Sequence, residues 1–467
     1  MNIAQDQNPS LLIPGSRFLV VGLGTSGYWA AKWLVEKGAE VTVSDAREAS
    51  RLNDEYQNEL NSLGVSLETG KHREKTFLET DAIVLSPGVP LDTPFMKAAL
   101  KRQIPIIGEM ELAARHVDVP IIAATGTNGK TTVTSFLGRM LEDQGLAVFV
   151  GGNIGTPLTA YLMGEMKADY LVVEISSFQL DTIERFTPEI SIILNISPDH
   201  LDRYADYSAY IHSKLRIFEN QGAGQTVILN DDDIVLKKTT PPEGTSVLRY
   251  GLKKGAGIDA FIENEGILSA VTEKGRFNLS AFSLPGAHNL ENLLAVVLAG
   301  QALGLAPEPI QKTINAFKGL SNRLERVCAN GHGFLQKKVQ FYNDSKATNV
   351  DAAVRAVQSF DKPLILIAGG RHKGSNYQPL VNACKGHVKG AVFMGESASL
   401  LAEAFTGETP FSLAETMPDA VKKAAHMAES GDVVLLAPAC SSFDMFENYD
   451  QRGRAFKSAV EGLSNGR

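Results

Sequence analysis

Cysteine is scarce in this chain, with three among 467 residues. Cys328, Cys384 and Cys440 stand far apart in sequence. An odd, sparse set excludes a disulfide framework as the basis of the fold and suits a reducing compartment. A surplus of positive charge is also missing. The 45 Lys and Arg face 53 Asp and Glu, a net charge of −8. That balance argues against nucleic acid or an anionic membrane as the main partner and leaves room only for local basic pockets. No uninterrupted apolar stretch reaches bilayer length. Met1–Ser10 is polar and lacks the basic-then-apolar order of a secretory signal. There is no low-complexity segment and no short internal repeat. What remains is an ordinary hydrophobic content of 44% and 467 residues, a length that suggests about three domains. A cytoplasmic enzyme is the default expectation.

The most informative stretch is Val119-Pro-Ile-Ile-Ala-Ala-Thr-Gly-Thr-Asn-Gly-Lys-Thr-Thr-Val133. Ile121 to Ala124 reads as a buried strand, Thr125 to Gly129 as a polar loop, and Val133, Phe136, Leu137 and Met140 as one face of a helix. Strand, glycine loop and helix make a phosphate cradle. Backbone N–H groups at a helix start are unpaired, carry partial positive charge and suit an anion. Gly126 and Gly129 let the backbone of Thr127 and Asn128 approach phosphates closely. Lys130 can reach the outer phosphates, and the Thr131 hydroxyl, with Thr132 beside it, can sit on Mg²⁺. The general pattern has a further glycine where this chain has Ala124.

Upstream, Arg17-Phe-Leu-Val-Val-Gly22 is a strand pattern running into Gly22-Leu-Gly24-Thr25-Ser26-Gly27 and a helix from Tyr28 to Lys37. A second strand ends at Asp45, about twenty residues on, which completes a dinucleotide fingerprint. The motif specifies a diphosphate on a helix start and a polar group near a sugar. NAD meets that requirement, and UDP meets it equally. Ser86, in the turn after another strand, can line the same crevice.

Downstream, Asn153 is presented by a glycine turn, and Glu174 ends an apolar strand. A carboxylate there, beside a phosphate cradle, is where Mg²⁺ binds in nucleotide folds. His200 follows a further strand, in position to meet metal or phosphate. Lys214 lies on a helix of basic and apolar residues, where a lysine is ordinarily just solvated. Asn289 and Asn292 share one helix face; they can bond a base or ribose, or cap the helix start. A new α/β unit begins near residue 321. Arg323 can touch a phosphate. Three strand ends then offer Thr348, Lys373 and Ser442 along one edge of a parallel sheet, and a cation with hydroxyl donors suits a carboxylate.

Together these motifs resemble the Mur ligase family, the ATP-dependent amide-forming enzymes of peptidoglycan synthesis. The run Thr125–Thr132 is similar to their ATP loop, including the missing glycine at Ala124. Glu174-Ile-Ser-Ser-Phe-Gln-Leu180, Asn343-Asp-Ser-Lys-Ala-Thr-Asn349 and Cys440-Ser-Ser-Phe-Asp444 with Arg452-Gly453 resemble its D-glutamate-adding members. The resemblance covers nearly the whole chain, in order. It implies an α/β protein of three domains: a Rossmann-like domain over 1–108, a central P-loop-type ATPase domain over 109–320 and a Rossmann-like C-terminal domain over 321–467. It implies UDP-N-acetylmuramoyl-L-alanine, D-glutamate, ATP and two Mg²⁺ ions as ligands, a monomer, and no NAD. The sugar nucleotide would be held by Gly24, Thr25, Ser26, Gly27, Asp45, Arg47, Ser86 and Asn153. ATP would be held by Gly126 to Thr132, Asn289, Asn292, Arg323 and Asp344. Magnesium would fall to Thr131, Glu174, His200 and a carbamylated Lys214. D-glutamate would fall to Thr348, Lys373, Ser442 and Tyr449, the last where the family often carries Phe.

Overall fold

The computed structural model describes residues 14–200, 203–264, 266–269, 275–328 and 338–463. The Met1–Ser10 stretch, and Leu201 and Asp202 of the His200 loop, lie outside the described residues. Among the described residues the protein is α/β with three sheets, one to a domain. The first contains β1 (Arg17–Val21), β2 (Glu40–Asp45), β3 (Ser66–Thr69), β4 (Ala82–Leu85) and β5 (Ile106–Gly108), in the order β3-β2-β1-β4-β5, all parallel. Its central strand is apolar on both faces because both are covered. Phe18 and Val20 pack with Ala30, Ala31 and Leu34 on one side, and Leu19 and Val21 with Phe77, Met96 and Ala99 on the other. Burial on two faces is what makes a parallel strand read as a continuous hydrophobic run.

The central sheet has β6 (Ile121–Thr125), β7 (Val148–Gly152), β8 (Tyr170–Glu174), β9 (Ile190–Ile193), β10 (Thr226–Asn230), β11 (Ser246–Tyr250), β12 (Ala260–Glu263), β13 (Gly266–Ser269) and β14 (Arg276–Asn278). The order is β14-β13-β12-β11-β10-β9-β6-β8-β7, and every strand runs the same way except β13, which pairs antiparallel with both β12 and β14 at one edge. Ile122 and Ala124 face Val133, Phe136 and Leu137, whereas Ile121 and Ala123 face Met110, Leu158 and Leu180. From β6 the chain goes to β8 and β7 on one side and to β9 on the other. Such a reversal opens a crevice at the strands' carboxyl ends, where ligands bind in open α/β sheets.

The third sheet contains β15 (Glu325–Val327), β16 (Gln340–Asn343), β17 (Leu364–Gly369), β18 (Val388–Met394), β19 (Phe411–Ala414) and β20 (Val433–Leu436), in the order β15-β16-β20-β17-β18-β19, with only β15 antiparallel. The order makes β16, β20 and β17 neighbours, so the loops after them lie side by side. Arg452 is buried beneath those loops. Its guanidinium donates to the Ser345 carbonyl at 2.8 Å, Ser345 Oγ at 3.0 Å, the Cys440 carbonyl at 3.1 Å and the Ser441 carbonyl at 3.3 Å. Burial pulls its pKa down to about 10, and it gives the buried loop carbonyls of Ser345 and Cys440 a donor, whereas the Ser441 carbonyl also accepts from the Arg371 N–H at 2.9 Å. The three cysteines are free. Among the described residues, no helix is long and apolar enough to cross a membrane.

The fingerprint glycines have separate reasons. Gly22 sits at φ +93, and a Cβ on Gly27 would collide with the Gly22 carbonyl oxygen. Gly27 therefore sets how closely the helix Thr25–Glu36 packs on β1. Gly27→Ala should cost roughly 2 kcal/mol or more, as overpacking against rigid backbone does, and should loosen the crevice above it. Urea unfolding followed by Trp29 and Trp33 fluorescence checks this, with an unchanged midpoint as the contrary result.

Candidate active site

β6 ends at Thr125, and the chain turns through Gly126 to Gly129 into the helix Lys130–Glu142. Gly129 is left-handed, at φ +89, and a Cβ there would strike Asn292 Oδ1. No side chain caps the helix start, so its first N–H groups stay open to an anion. Lys130 folds back over the loop and donates to the Gly126 carbonyl at 2.8 Å and the Thr127 carbonyl at 3.0 Å. Burial lowers its pKa, against the pull of Glu174 and Asp199.

Glu174, at the end of β8, accepts from Thr131 Oγ1 at 2.6 Å and from Asn153 Nδ2 at 2.8 Å. These are hard oxygen donors beside a phosphate cradle. They suit Mg²⁺, which takes one or two carboxylates and completes its shell with water and phosphate. Lys214, on the helix Tyr207–Leu215, is buried and donates to the same Gly126 carbonyl at 2.8 Å. Burial first, and the Lys130 charge second, push its pKa well below the ordinary lysine value. His200, at φ +55, meets the Phe178 ring edge-on at 4.9 Å and lies 3.8 Å from Asp199 Oδ2.

A cavity of about 300 Å³ opens above this group. Thr127 to Thr132, Asn153, Glu174, His200, Asn289 and Asn292 line it from the central domain, and Arg323, Asp344, Thr348 and Lys373 from the C-terminal domain. Burial lowers the Arg323 pKa and raises that of Asp344 to about 7, despite the attraction of Arg323. Four sequence candidates stand elsewhere. Lys214 and Gly126 form the floor beneath the loop, as the shared carbonyl shows. Ser442 is buried and does not line the cavity, because the loop from Ser442 turns back on itself, Phe446 N–H donating to the Ser442 carbonyl at 2.9 Å. Tyr449 is set back, its ring 3.9 Å from Lys346 Nζ.

Lys346, Asp199, His288 and Arg355 also line the cavity, and sequence reasoning passed over them. Lys346 lies inside a motif already singled out, and burial together with Arg323 takes its pKa down to about 8. Nothing in a loop lysine's neighbours along the chain marks it as half-buried in a cavity wall. His288 opens a helix whose apolar run drew attention to its later residues instead.

The first domain holds a second pocket of about 480 Å³, lined by Gly22, Gly24, Thr25, Ser26, Asp45, Arg47, His72 and Ser86 among others. No side chain caps the helix start there either. Asp45 is not the free ribose acceptor that the fingerprint suggests. Oδ1 accepts from the Arg47 backbone N–H at 2.8 Å and Nε at 3.0 Å; Oδ2 accepts from the Leu23 N–H and from Arg47 Nη2, both at 2.7 Å. All four lone-pair positions are thus filled. Burial opposes the charge, but these bonds outweigh it and hold the pKa below the ordinary value. Asp45 therefore acts through Arg47, whose guanidinium it aims.

A family model for the Mur ligase MurD-like N-terminal domain matches residues 16–108, one for the Mur ligase middle domain matches 124–300, and one for the Mur ligase glutamate ligase domain matches 322–440. The chain is 44% identical to the UDP-N-acetylmuramoylalanine--D-glutamate ligase of Koribacter versatilis, over 97% of its own length and 98% of the other's. It is 41% identical to the protein of the same name from Geotalea daltonii, over 97% and 99%. The chain belongs to the Mur ligase family. Solved Mur ligases share its fold at low identity. MurF from Thermotoga maritima, in complex with ADP, aligns with a TM-score of 0.61 at 14% identity, covering 97% of this chain and 98% of that one. The pseudomurein peptide ligase type C from Methanothermus fervidus aligns with a TM-score of 0.60 at 20% identity, covering 96% and 100%.

In this Mur ligase, His288 carries a pH consequence. Burial first, then the charge of Arg355, lower its pKa from 6.5 to about 4. The folded state thus binds fewer protons than the unfolded chain between those values. The stability linked to His288 is complete above pH 6.5 and is lost as pH falls towards 4. His288→Asn should remove that loss, sparing about 2 kcal/mol by about pH 5. Urea midpoints of nucleotide-free wild type and variant, compared across pH, check it; parallel curves would contradict it.

Proposed function

We propose that this chain is an ATP-dependent amide ligase that joins D-glutamate to UDP-N-acetylmuramoyl-L-alanine through an acyl phosphate, at the cytoplasmic stage of peptidoglycan precursor synthesis. The carrying observation is the shared cavity. One space is faced by a phosphate cradle, by the Glu174 carboxylate and by Thr348 and Lys373 of a different domain. The names of the relatives supply the substrate class.

A carboxylate does not react with an amine, because its leaving group is too poor. In the first step an oxygen of the alanyl carboxylate bonds to the γ-phosphorus of ATP and the bond to ADP breaks. In the second the D-glutamate amine attacks the acyl carbon, a proton leaves the nitrogen, and inorganic phosphate departs. Positioning and charge neutralisation do most of this work. Lys130, Arg323 and the open helix start hold the triphosphate, Asp344, Asn289 and Asn292 the rest of the nucleotide, and His200 faces the transferring group. Arg47, Thr25, Ser26 and Ser86 hold the uridine diphosphate, and Asn153 faces the muramoyl arm. Thr348 and Lys373, backed by Ser442 and Tyr449, hold the D-glutamate carboxylates. Two Mg²⁺ ions, when held by Thr131, Glu174, His200 and carbamylated Lys214, would screen the anions that must meet. The chain is proposed to act as a monomer.

The Lys214 assignment has a physical basis. Burial and the neighbouring Lys130 disfavour the charged form of this amine; the neutral form is the nucleophile for carbon dioxide, and the product carbamate, formed with release of a proton, is an anion. Lys214→Ala should lose most activity and recover part of it when acetate or another short carboxylic acid is added. A variant fully active without such an acid excludes the carbamate.

The reaction itself is tested with a panel of amino acids and ATP, with and without UDP-N-acetylmuramoyl-L-alanine, read as phosphate release. D-glutamate alone should support rapid turnover, and only with the sugar nucleotide present. Turnover with L-alanine instead would move the chain to another branch of the family.

A further inference from the structure

Three residues past Thr348, the helix Val350–Val357 presents Asp351 to the central domain. Its Oδ2 accepts from Asn128 Nδ2 in the ATP loop at 2.7 Å and from Ser197 Oγ, in the loop after β9, at 3.1 Å. Arg355, one turn further along, donates to the same oxygen at 3.0 Å and reaches Glu291 of the helix Ala287–Ala302 at 3.6 Å. Asn349 adds a second link. Its Oδ1 caps its own helix through the Ala352 N–H, and its Nδ2 donates to Asp199, next to His200, at 3.1 Å. The start of one short helix therefore ties the C-terminal domain to three elements of the central one.

The pattern is directional. Three donors converge on a single carboxylate oxygen, and hydrogen bonds to an ionised acceptor are stronger than neutral ones. Two of the donors cross between domains. Asn128, expected to serve ATP, spends its side chain on this contact, while its backbone N–H donates to Asn195 Oδ1 at 2.9 Å and its carbonyl accepts from Asn195 Nδ2 at 3.1 Å.

We propose that Asp351 is a positioning residue: its carboxylate latches the C-terminal domain onto the ATP loop, so that Thr348 and Lys373 reach the cavity in the same event that fixes Asn128. This rests on the ligase reading above. The latch acts on the assembly of the amino-acid site and leaves the sugar-nucleotide pocket, in the first domain, untouched.

Steady-state phosphate release under varied substrate tests it. Asp351→Ala should raise the KM for D-glutamate roughly 10-fold, the scale of one charge-assisted contact, with the KM for the sugar nucleotide unchanged. Asn128→Ala should raise it similarly, and the double variant should be little worse than either single one. Wild-type KM for D-glutamate in Asp351→Ala, equal increases in both KM values, or effects of the two substitutions that add in full would each overturn the latch. If Asp351→Ala does not fold, Asp351→Asn keeps the shape, removes the charge and should show the same selective rise. A wild type that releases no phosphate with both substrates defeats the ligase reading, whereas an active wild type beside an unaffected variant defeats the latch alone.

Discussion

Two lysine amines share one carbonyl oxygen, that of Gly126, at 2.8 Å each. Lys214 is buried and Lys130 half-buried, and neither can be charged without raising the cost of charging the other. Lys130 keeps Glu174 and Asp199 as counter-charges, while Lys214 feels Lys130 as the largest influence after burial itself. The asymmetry divides the labour. In the proposed reaction the first amine serves as the cation for phosphate, and the second is the one proposed to carry the carbamate. The rest of the site follows from keeping that pair dry and in place. Glycines at 126 and 129 bring the loop close, Thr131 and Asn153 hold Glu174 above it, and the Tyr210 ring lies 4.8 Å from Lys214 Nζ.

The loop is one wall of the cavity; the other belongs to the third sheet. Its contributions come from the ends of neighbouring strands, whose loops are joined above by an isolated antiparallel bridge between Arg371 and Ser441 and by the Ala439 N–H donating to the Ala347 carbonyl at 2.9 Å. Arg452 supplies the stiffness from below by satisfying carbonyls on two of the three loops at once. It does not line the cavity, yet it holds the loop framework from which Thr348 and Lys373 project. A buried cation of this kind is costly unless its donors are used, and here they are spent on buried backbone carbonyls and the Ser345 hydroxyl.

The first domain shows how a motif can be right in place and different in detail. The glycine turn, the open helix start and the acid after β2 all stand where the fingerprint puts them. Yet Asp45 has no lone pair left for a ribose, because Arg47, two residues on, and the Leu23 N–H take all four. Spacing alone does not distinguish an acid that receives a hydroxyl from one that aims a guanidinium. Ser442 is similar: a hydroxyl at a strand end reads as a ligand, but the loop curls over it.

From the sequence alone came the class of fold and the cradle. Both are local: alternation of strand and helix is written in hydrophobic period, and a phosphate site is made of contiguous backbone whose glycines and lysine must be adjacent in the chain. The tertiary structure decided which isolated side chains belong to the site. Lys214 lies 88 residues from its carbonyl partner and Asp351 lies 223 from Asn128. Along the chain each is a charged residue on a short helix, indistinguishable from a solvated one. Burial and like-charge proximity, which alter the chemistry of the first, and convergence of donors from two domains, which gives the second its role, exist only once the chain has closed on itself.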